Sequence, residues 1–217
     1  MRTIQILSIL FLLSMSNAQE SEPVHKGSDY FRLQPGKSWY IDGRAADGQQ
    51  LSMYRRYSIK EHVSATSSQV PVTIESFMYG RLFMEVTEIY RIKPNGAIEH
   101  EKTIQNGRFH TYDPPNVYLP TEMRIGTQWS IKERSGDVFQ MSIEEFLDEL
   151  KLPNGLIFND VVKVKRDYQS ESGESLVYVY EYYGKGMGYI GGQFSNGHLF
   201  ELLKPRVIEG SEALQSL

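Results

Sequence analysis

The chain has 217 residues, and its 23 Lys plus Arg against 27 Asp plus Glu give a formal net charge of -4. That balance, spread evenly along the chain, argues against nucleic acid as a partner, because binding a polyphosphate requires a cationic face that displaces counterions. A hydrophobic content of 40% is too high for a disordered chain, and the absence of Cys excludes disulfides, thiolate zinc sites, a Cys nucleophile and lipidation through Cys.

Residues 1–18 read as a removable leader. Arg2 precedes an apolar run from Ile4 to Met15, and Ser16-Asn17-Ala18 supplies small residues at the cleavage site. The run is shorter than the ~20 apolar residues needed to span a bilayer, so it predicts secretion to the periplasm or the extracellular space, with no transmembrane segment after cleavage. Residues 19–29 read as a flexible arm, residues 30–205 as one β domain and residues 206–217 as a tail.

From Tyr30 onward, short alternating runs are punctuated by Asn95-Gly96, Asn106-Gly107, Asn154-Gly155 and Asn196-Gly197, with Asp42-Gly43 and Asp47-Gly48 besides. Asn-Gly accepts positive φ at both turn positions, so each pair between alternating runs predicts a β-hairpin. Pro94-Asn95-Gly96 fits a three-residue loop pairing Ile92 with Ile98, Tyr90 with His100, Glu88 with Lys102 and Val86 with Ile104. Asn106-Gly107 as a two-residue loop sets Ile104 opposite Phe109, and the same logic at Asn196-Gly197 sets Phe194 opposite Leu199. Ser142 to Leu150 offers both helical spacing and a Ser-x-x-Glu capping pattern, but it spans only about two turns, marginal for an isolated helix. The alternation of Phe139, Met141 and Ile143 favours a strand with a helical interruption. The predicted fold is mainly β: a strongly curved antiparallel sheet of about 10–12 strands, forming a half-barrel or barrel with little helix.

Two segments echo each other. Leu33-Gln34-Pro35-Gly36-Lys37-Ser38-Trp39-Tyr40-Ile41 and Met123-Arg124-Ile125-Gly126-Thr127-Gln128-Trp129-Ser130-Ile131 share the pattern apolar-x-x-Gly-x-x-Trp-x-Ile, 90 residues apart. The reading is a glycine turn that delivers a structural aromatic, Trp39 or Trp129, to the head of a strand, as expected for two similar halves of one sheet.

These residues also carry a resemblance. Tyr30-Phe31 through Pro35-Gly36 and Trp39, Leu119-Pro120 leading to Gly126 and Trp129, Pro153-Asn154-Gly155 through Phe158 and Asp160-Val161-Val162, and Tyr182-Tyr183-Gly184-Lys185-Gly186-Met187-Gly188 together resemble the TapB-like families of exported bacterial β proteins, domains of unknown function. The resemblance runs from about Tyr30 to Leu203 of this chain. It implies a bacterial envelope or secreted protein with a strongly curved sheet, and it supplies no catalytic residues. Many such relatives resemble lipoproteins, whereas this chain has no anchoring Cys.

No catalytic motif stands out. Gly186-Met187-Gly188-Tyr189-Ile190-Gly191 matches G-x-G-x-x-G in letters, but the next turn signal follows too soon for the helix that a dinucleotide site requires. His25, His62, His100, His110 and His198 show no metal-ligand spacing, there is no G-x-S-x-G elbow, and Glu144, Glu145, Asp148 and Glu149 read as a solvated face. The expectation is therefore a non-enzyme without cofactor or metal.

Two groups are candidate binding residues. Tyr90 and His100 share a core-side face with the polar pair Glu88 and Lys102, and Tyr178, Tyr180 and Tyr182 alternate along one strand face, where a ring with a polar tip suits the mouth of a cleft. The expected function is binding of a hydrophobic or lipid-like ligand in the concave sheet. The alternative is an envelope assembly component acting through an exposed edge or apolar patch, with Pro71 hinting at an edge strand. A small outer-membrane barrel is disfavoured by the adjacent Arg55 and Arg56, which place one cation on each face of a strand.

Overall fold

Alternating runs joined by residues that tolerate positive φ can satisfy their backbone groups by pairing with their sequence neighbours, and the computed structural model shows that outcome. It describes residues 24–31, 35–45, 49–60, 68–169 and 175–202; the leader, the Asp47-Gly48 pair and the tail lie outside them. A single turn, α1 (Gly27–Tyr30), precedes β1 (Ser38–Arg44), β2 (Gln50–Ile59), β3 (Gln69–Met78), β4 (Arg81–Ile92), β5 (Ile98–Gln105) and β6 (Arg108–Leu119). Then come β7 (Gln128–Lys132), β8 (Val138–Lys151), β9 (Ile157–Gln169), β10 (Ser175–Gly184), β11 (Gly188–Phe194) and β12 (Leu199–Leu202).

All twelve strands belong to one antiparallel sheet in the order β6-β5-β4-β3-β2-β1-β12-β11-β10-β9-β8-β7. It is two six-stranded meanders joined where β1 pairs with β12, Ile41 opposite Leu202. The echo marks the start of each meander. Gly36 N–H donates to the Ile59 carbonyl and Ile59 N–H to the Lys37 carbonyl; Gly126 and Ile143 repeat this with Thr127. Both glycines hold positive φ, +78° and +84°, which an L side chain adopts only with strain.

The sheet is strongly curved. The Tyr183 hydroxyl of β10 lies 3.1 Å from that of Tyr118 on β6, although eight strand spacings separate them and a flat sheet would hold them ~38 Å apart. The backbone ladder does not close into a barrel. Instead the Asn116 side chain joins the two edge strands, accepting from Lys132 N–H at 2.9 Å and donating to the Lys132 carbonyl at 2.7 Å.

Three hairpin registers agree with the expectation: Ile92 faces Ile98, Tyr90 faces His100 and Ile104 faces Phe109. Two are corrected. A bulge between Ile89 and Tyr90 sets Glu88 opposite Thr103 and Thr87 opposite Ile104, so Lys102 faces Ile89 and not Glu88. At Asn196-Gly197 the loop has three residues, closed by Phe194 N–H on the His198 carbonyl, which places Gln193 opposite Leu199. Asp42-Gly43 is an irregularity within β1 and not a turn. The ambiguous 142–150 segment is strand throughout, with a bulge between Ile143 and Glu145. Pro71 sits in β3, an interior strand. Its carbonyl accepts from Lys60, just beyond the end of β2, where the missing proline N–H costs no ladder bond.

One end of the curved sheet is plugged. Part of the segment expected as a loose arm is docked there, with Met123 N–H bonding the His25 carbonyl, Gly27 N–H bonding Pro120 and Ser28 N–H bonding Gly96. Tyr30, 1% exposed, and Phe31 descend from this segment into the main core, against which Trp39 and Trp129 pack.

Candidate functional site

Above the plug, the concave face encloses a cavity of ≈450 Å³. It runs from Phe31 and Trp39 at the plugged end to Gln105 and the 133–135 turn at the other, and its size falls in the usual range for small-ligand sites. One wall is apolar, formed by Val72 and Ile74 of β3 and Met84 and Val86 of β4. The deeper wall is aromatic and charged, with Tyr57, Tyr90, Tyr118 and Tyr189 around Arg55, Glu88, Arg166 and Glu181.

The polar groups are organised by the repeat. The fourth strand of each meander carries Glu-x-Tyr: Glu88-Ile89-Tyr90 on β4 and Glu181-Tyr182-Tyr183 on β10. Two residues apart on a strand means one face, and in both cases the tyrosine hydroxyl donates to its own glutamate, Tyr90 to Glu88 and Tyr183 to Glu181, the latter at 2.7 Å. Burial, followed by the Glu88 charge for Tyr90 and the Glu181 charge for Tyr118 and Tyr183, holds these phenols well above their ordinary pKa. They therefore remain neutral hydrogen-bond donors. Arg166 of β9 bonds both Glu133 and Glu181; burial opposes its charge, but the two carboxylates outweigh burial and raise its pKa. Arg55 hydrogen-bonds Tyr57, and its pKa is likewise raised against the cost of burial.

His100 stacks on Tyr90 with ring centroids 5.0 Å apart. Its Nε2 lies 3.1 Å from the Lys102 carbonyl, and a carbonyl only accepts, so Nε2 carries the proton. Burial lowers the His100 pKa and leaves the ring neutral at pH 7. The Trp39 Nε1 is buried without a hydrogen-bond partner, a donor on the cavity wall.

The sequence-derived residues divide. Tyr90, His100, Glu88 and Trp39 line the cavity, while Trp129 packs on the core. Lys102 lies outside, its ammonium 5.5 Å from the Phe109 ring. Tyr178, Tyr180 and Tyr182 occupy the opposite face of β10 from Glu181 and Tyr183, as strand alternation requires. Tyr178 and Tyr180 lie beneath Lys165 and Lys163, at 5.1 and 4.4 Å from ring centroid to ammonium, and Tyr182 packs on a second small core of Leu152, Phe158, Val161 and Ile190. Reading those tyrosines as the inner face missed Glu181 and Tyr183; the Glu-x-Tyr spacing repeated on β4 was the signal that could have found them. Arg55 and Arg56 do point to opposite faces, Arg55 into the cavity and Arg56 onto Glu75. The glycine run 186–191 forms the β10–β11 hairpin, with positive φ at Gly186 and Gly188.

No protein-family model and no curated protein matches the chain. It is similar to a solved structure from Bacteroides fragilis, provisionally described as an exported protein with YmcC-like fold, at 14% identity and a TM-score of 0.48, covering 80% of this chain and 96% of that one. It is also similar to a structure from Parabacteroides distasonis, provisionally described as a lipoprotein, at 18% identity and a TM-score of 0.44 with the same coverage. Neither is described as TapB-like. Among the described residues no helix is long and apolar enough to cross a membrane, and no group of three or more acidic or His side chains could hold a metal ion.

Proposed function

We propose that this is an exported, non-catalytic binding protein that holds a small amphipathic molecule in the cavity of its concave sheet. The observation that carries the reading is the division of the cavity wall. An apolar strip of Val72, Ile74, Met84 and Val86 faces tyrosine hydroxyls and paired charges deeper in. A molecule with a hydrocarbon part and a hydrogen-bonding end matches both, because apolar contact supplies binding energy and a few fixed polar groups set orientation. The roles of Tyr90 and His100 in this reading are wall and ring platform. The leader pattern in residues 1–18 and the TapB-like resemblance support export. A purely hydrocarbon ligand fits less well, since it would strip water from Glu88 and Arg55 without replacing its hydrogen bonds.

The test is native mass spectrometry of the protein purified from its own cells, followed by organic extraction. A small amphiphile released from the wild type and missing from a Met84→Trp variant of unchanged fold supports the reading. An empty wild type, or a bound molecule equally present in the variant, overturns it.

A further inference from the structure

Of the eleven exposed large apolar side chains among the described residues, Val24, Ile92, Ile125 and Ile157 lie singly at the end that carries the α1 plug, and the other seven lie at the opposite end. In a meander, successive turns alternate between the two ends, so the β3–β4, β5–β6 and β7–β8 turns share the end opposite the α1 plug. That end holds Met78, Tyr79, Leu82 and Phe83 on the β3–β4 turn, Phe109 beside the β5–β6 turn, Val138 at the start of β8 and Val177 near the start of β10, all exposed. It is also the end at which the cavity reaches Gln105 and the 133–135 turn.

The β3–β4 hairpin is the centre of this patch. The β5 ladder on β4 begins at Thr87, so Arg81 to Val86 run beyond it as a finger. A bulge between Ser76 and Phe77 gives Phe77 the partner Leu82 while Ser76 keeps Met84, so Phe83 is the extra residue. Leu82 and Phe83 are left half exposed, at 50% and 52%. Below them Phe77 stacks on Tyr54, with centroids 4.6 Å apart.

The turn itself is unusual in its side chain. Tyr79 and Gly80 have φ of +51° and +73°, and the sister turn Asn106-Gly107 has +51° and +70°. Asn is the ordinary residue for that first position, because its short polar side chain tolerates the left-handed region, whereas a bulky residue there is strained. The β3–β4 turn nonetheless displays a tyrosine that is 79% exposed. An aromatic ring held in water on a strained backbone points to a surface that takes it up.

Charge indicates which surface. Arg81 in this hairpin and Arg108 in the next are exposed, and Arg134 on the third turn bonds Gln105 across the seam. Among the described residues, the exposed carboxylates on these hairpins and turns are Glu85, farther down β4, Asp113, farther along β6, and Asp137, which bonds Ser135. The bulge and Glu85 also blunt the free side of β4 against addition of a strand from another protein.

We propose that this rim docks on an anionic phospholipid surface, with Tyr79, Phe83 and Leu82 entering the headgroup region and Arg81 and Arg108 facing lipid phosphates. Tyrosine suits that depth because its ring is apolar and its hydroxyl stays wet. Docking there would bring the open end of the cavity to the membrane. The proposal stands on rim residues that do not line the cavity and survives if the cavity proves empty.

The experiment is co-sedimentation of the purified protein, its N-terminus verified by mass spectrometry, with vesicles of phosphatidylcholine alone or mixed with phosphatidylglycerol. The wild type is expected to partition preferentially to the mixed vesicles, and added salt is expected to weaken this binding. Arg81→Glu should reduce partitioning by at least about fivefold, the effect of removing one basic residue near an anionic surface. Tyr79→Asn combined with Phe83→Ser should reduce it by at least about tenfold while keeping the circular dichroism and cooperative thermal unfolding of the wild type, which shows that loss of binding is not loss of fold; Tyr79→Asn alone should raise the thermal midpoint by relieving the turn. No sedimentation with either vesicle, or a double variant that sediments like the wild type, overturns the proposal. So does a concentration-dependent dimer abolished by Tyr79→Asn, since a second copy would then cover the rim.

Discussion

At the scale of single residues, His100 shows how burial converts composition into behaviour. An exposed imidazole would be partly charged near neutrality, but here the ring is 8% exposed, stacked on Tyr90, and its pKa is lowered by loss of solvent. The unfolded chain, with an ordinary His pKa near 6.5, therefore binds more protons than the folded chain at mildly acidic pH. The stability contributed by a neutral buried His is present above about pH 6.5 and is lost as the pH falls below that value. Replacing His100 with Asn is expected to flatten the fall in urea midpoint between about pH 7 and 5.5. An unchanged slope would show that other groups dominate. Glu181 and Tyr183 make the same point for the site: each is unremarkable in the chain, and they matter because the opposite meander presents Glu88 and Tyr90 to the same interior.

At the scale of elements, the plug is the informative case. A four-residue helix has no stability of its own, so α1 exists because three backbone hydrogen bonds tie residues 25–28 to the ends of neighbouring strands. Gly27 permits that approach: a Cβ there would sit 2.7 Å from the Leu119 Cβ and 2.8 and 2.9 Å from the Leu119 and Pro120 carbonyl oxygens. The contacts are largely backbone and cannot rotate away. Gly27→Ala is expected to cost about 1–3 kcal/mol in denaturant unfolding and to raise hydrogen exchange in residues 25–31. A variant as stable as the wild type would mean that the plug is not held closely. The hairpins teach a complementary lesson. Pro94-Asn95-Gly96 and Asn106-Gly107 set their registers locally, because turn geometry determines which residues face each other. The Glu88–Lys102 pairing failed four residues farther along, where a bulge between Ile89 and Tyr90 adds a residue to one strand and not to the other.

At the scale of the whole molecule, the sheet must dispose of two edges, and it does so by bringing β6 against β7. Asn116 makes the join: its carboxamide offers one donor and one acceptor, as a peptide group does, and both are used on Lys132. Asn116→Ala should cost about 1–2 kcal/mol and speed amide exchange in β6 and β7 together, although the two strands lie at opposite ends of the strand order. Faster exchange in one strand only would show that the seam is not a shared element. Much of this architecture was legible in the linear chain, because alternation of period two, Asn-Gly turns and the Gly-x-x-Trp echo are local patterns that report local geometry. They were enough for an antiparallel, mainly β fold in two similar halves, with Tyr90 opposite His100. The tertiary structure alone decided which face of β10 is concave, because Tyr180 and Tyr183 are equally compatible with either side until the curl of the sheet selects one. It also decided that Arg166 meets Glu133 and Glu181, that Asn116 closes the seam, and that Tyr79, Leu82, Phe83 and Phe109 are exposed at the open end of the cavity. Each of these depends on strands far apart in sequence being brought together by accumulated twist, and no short window of residues encodes that sum.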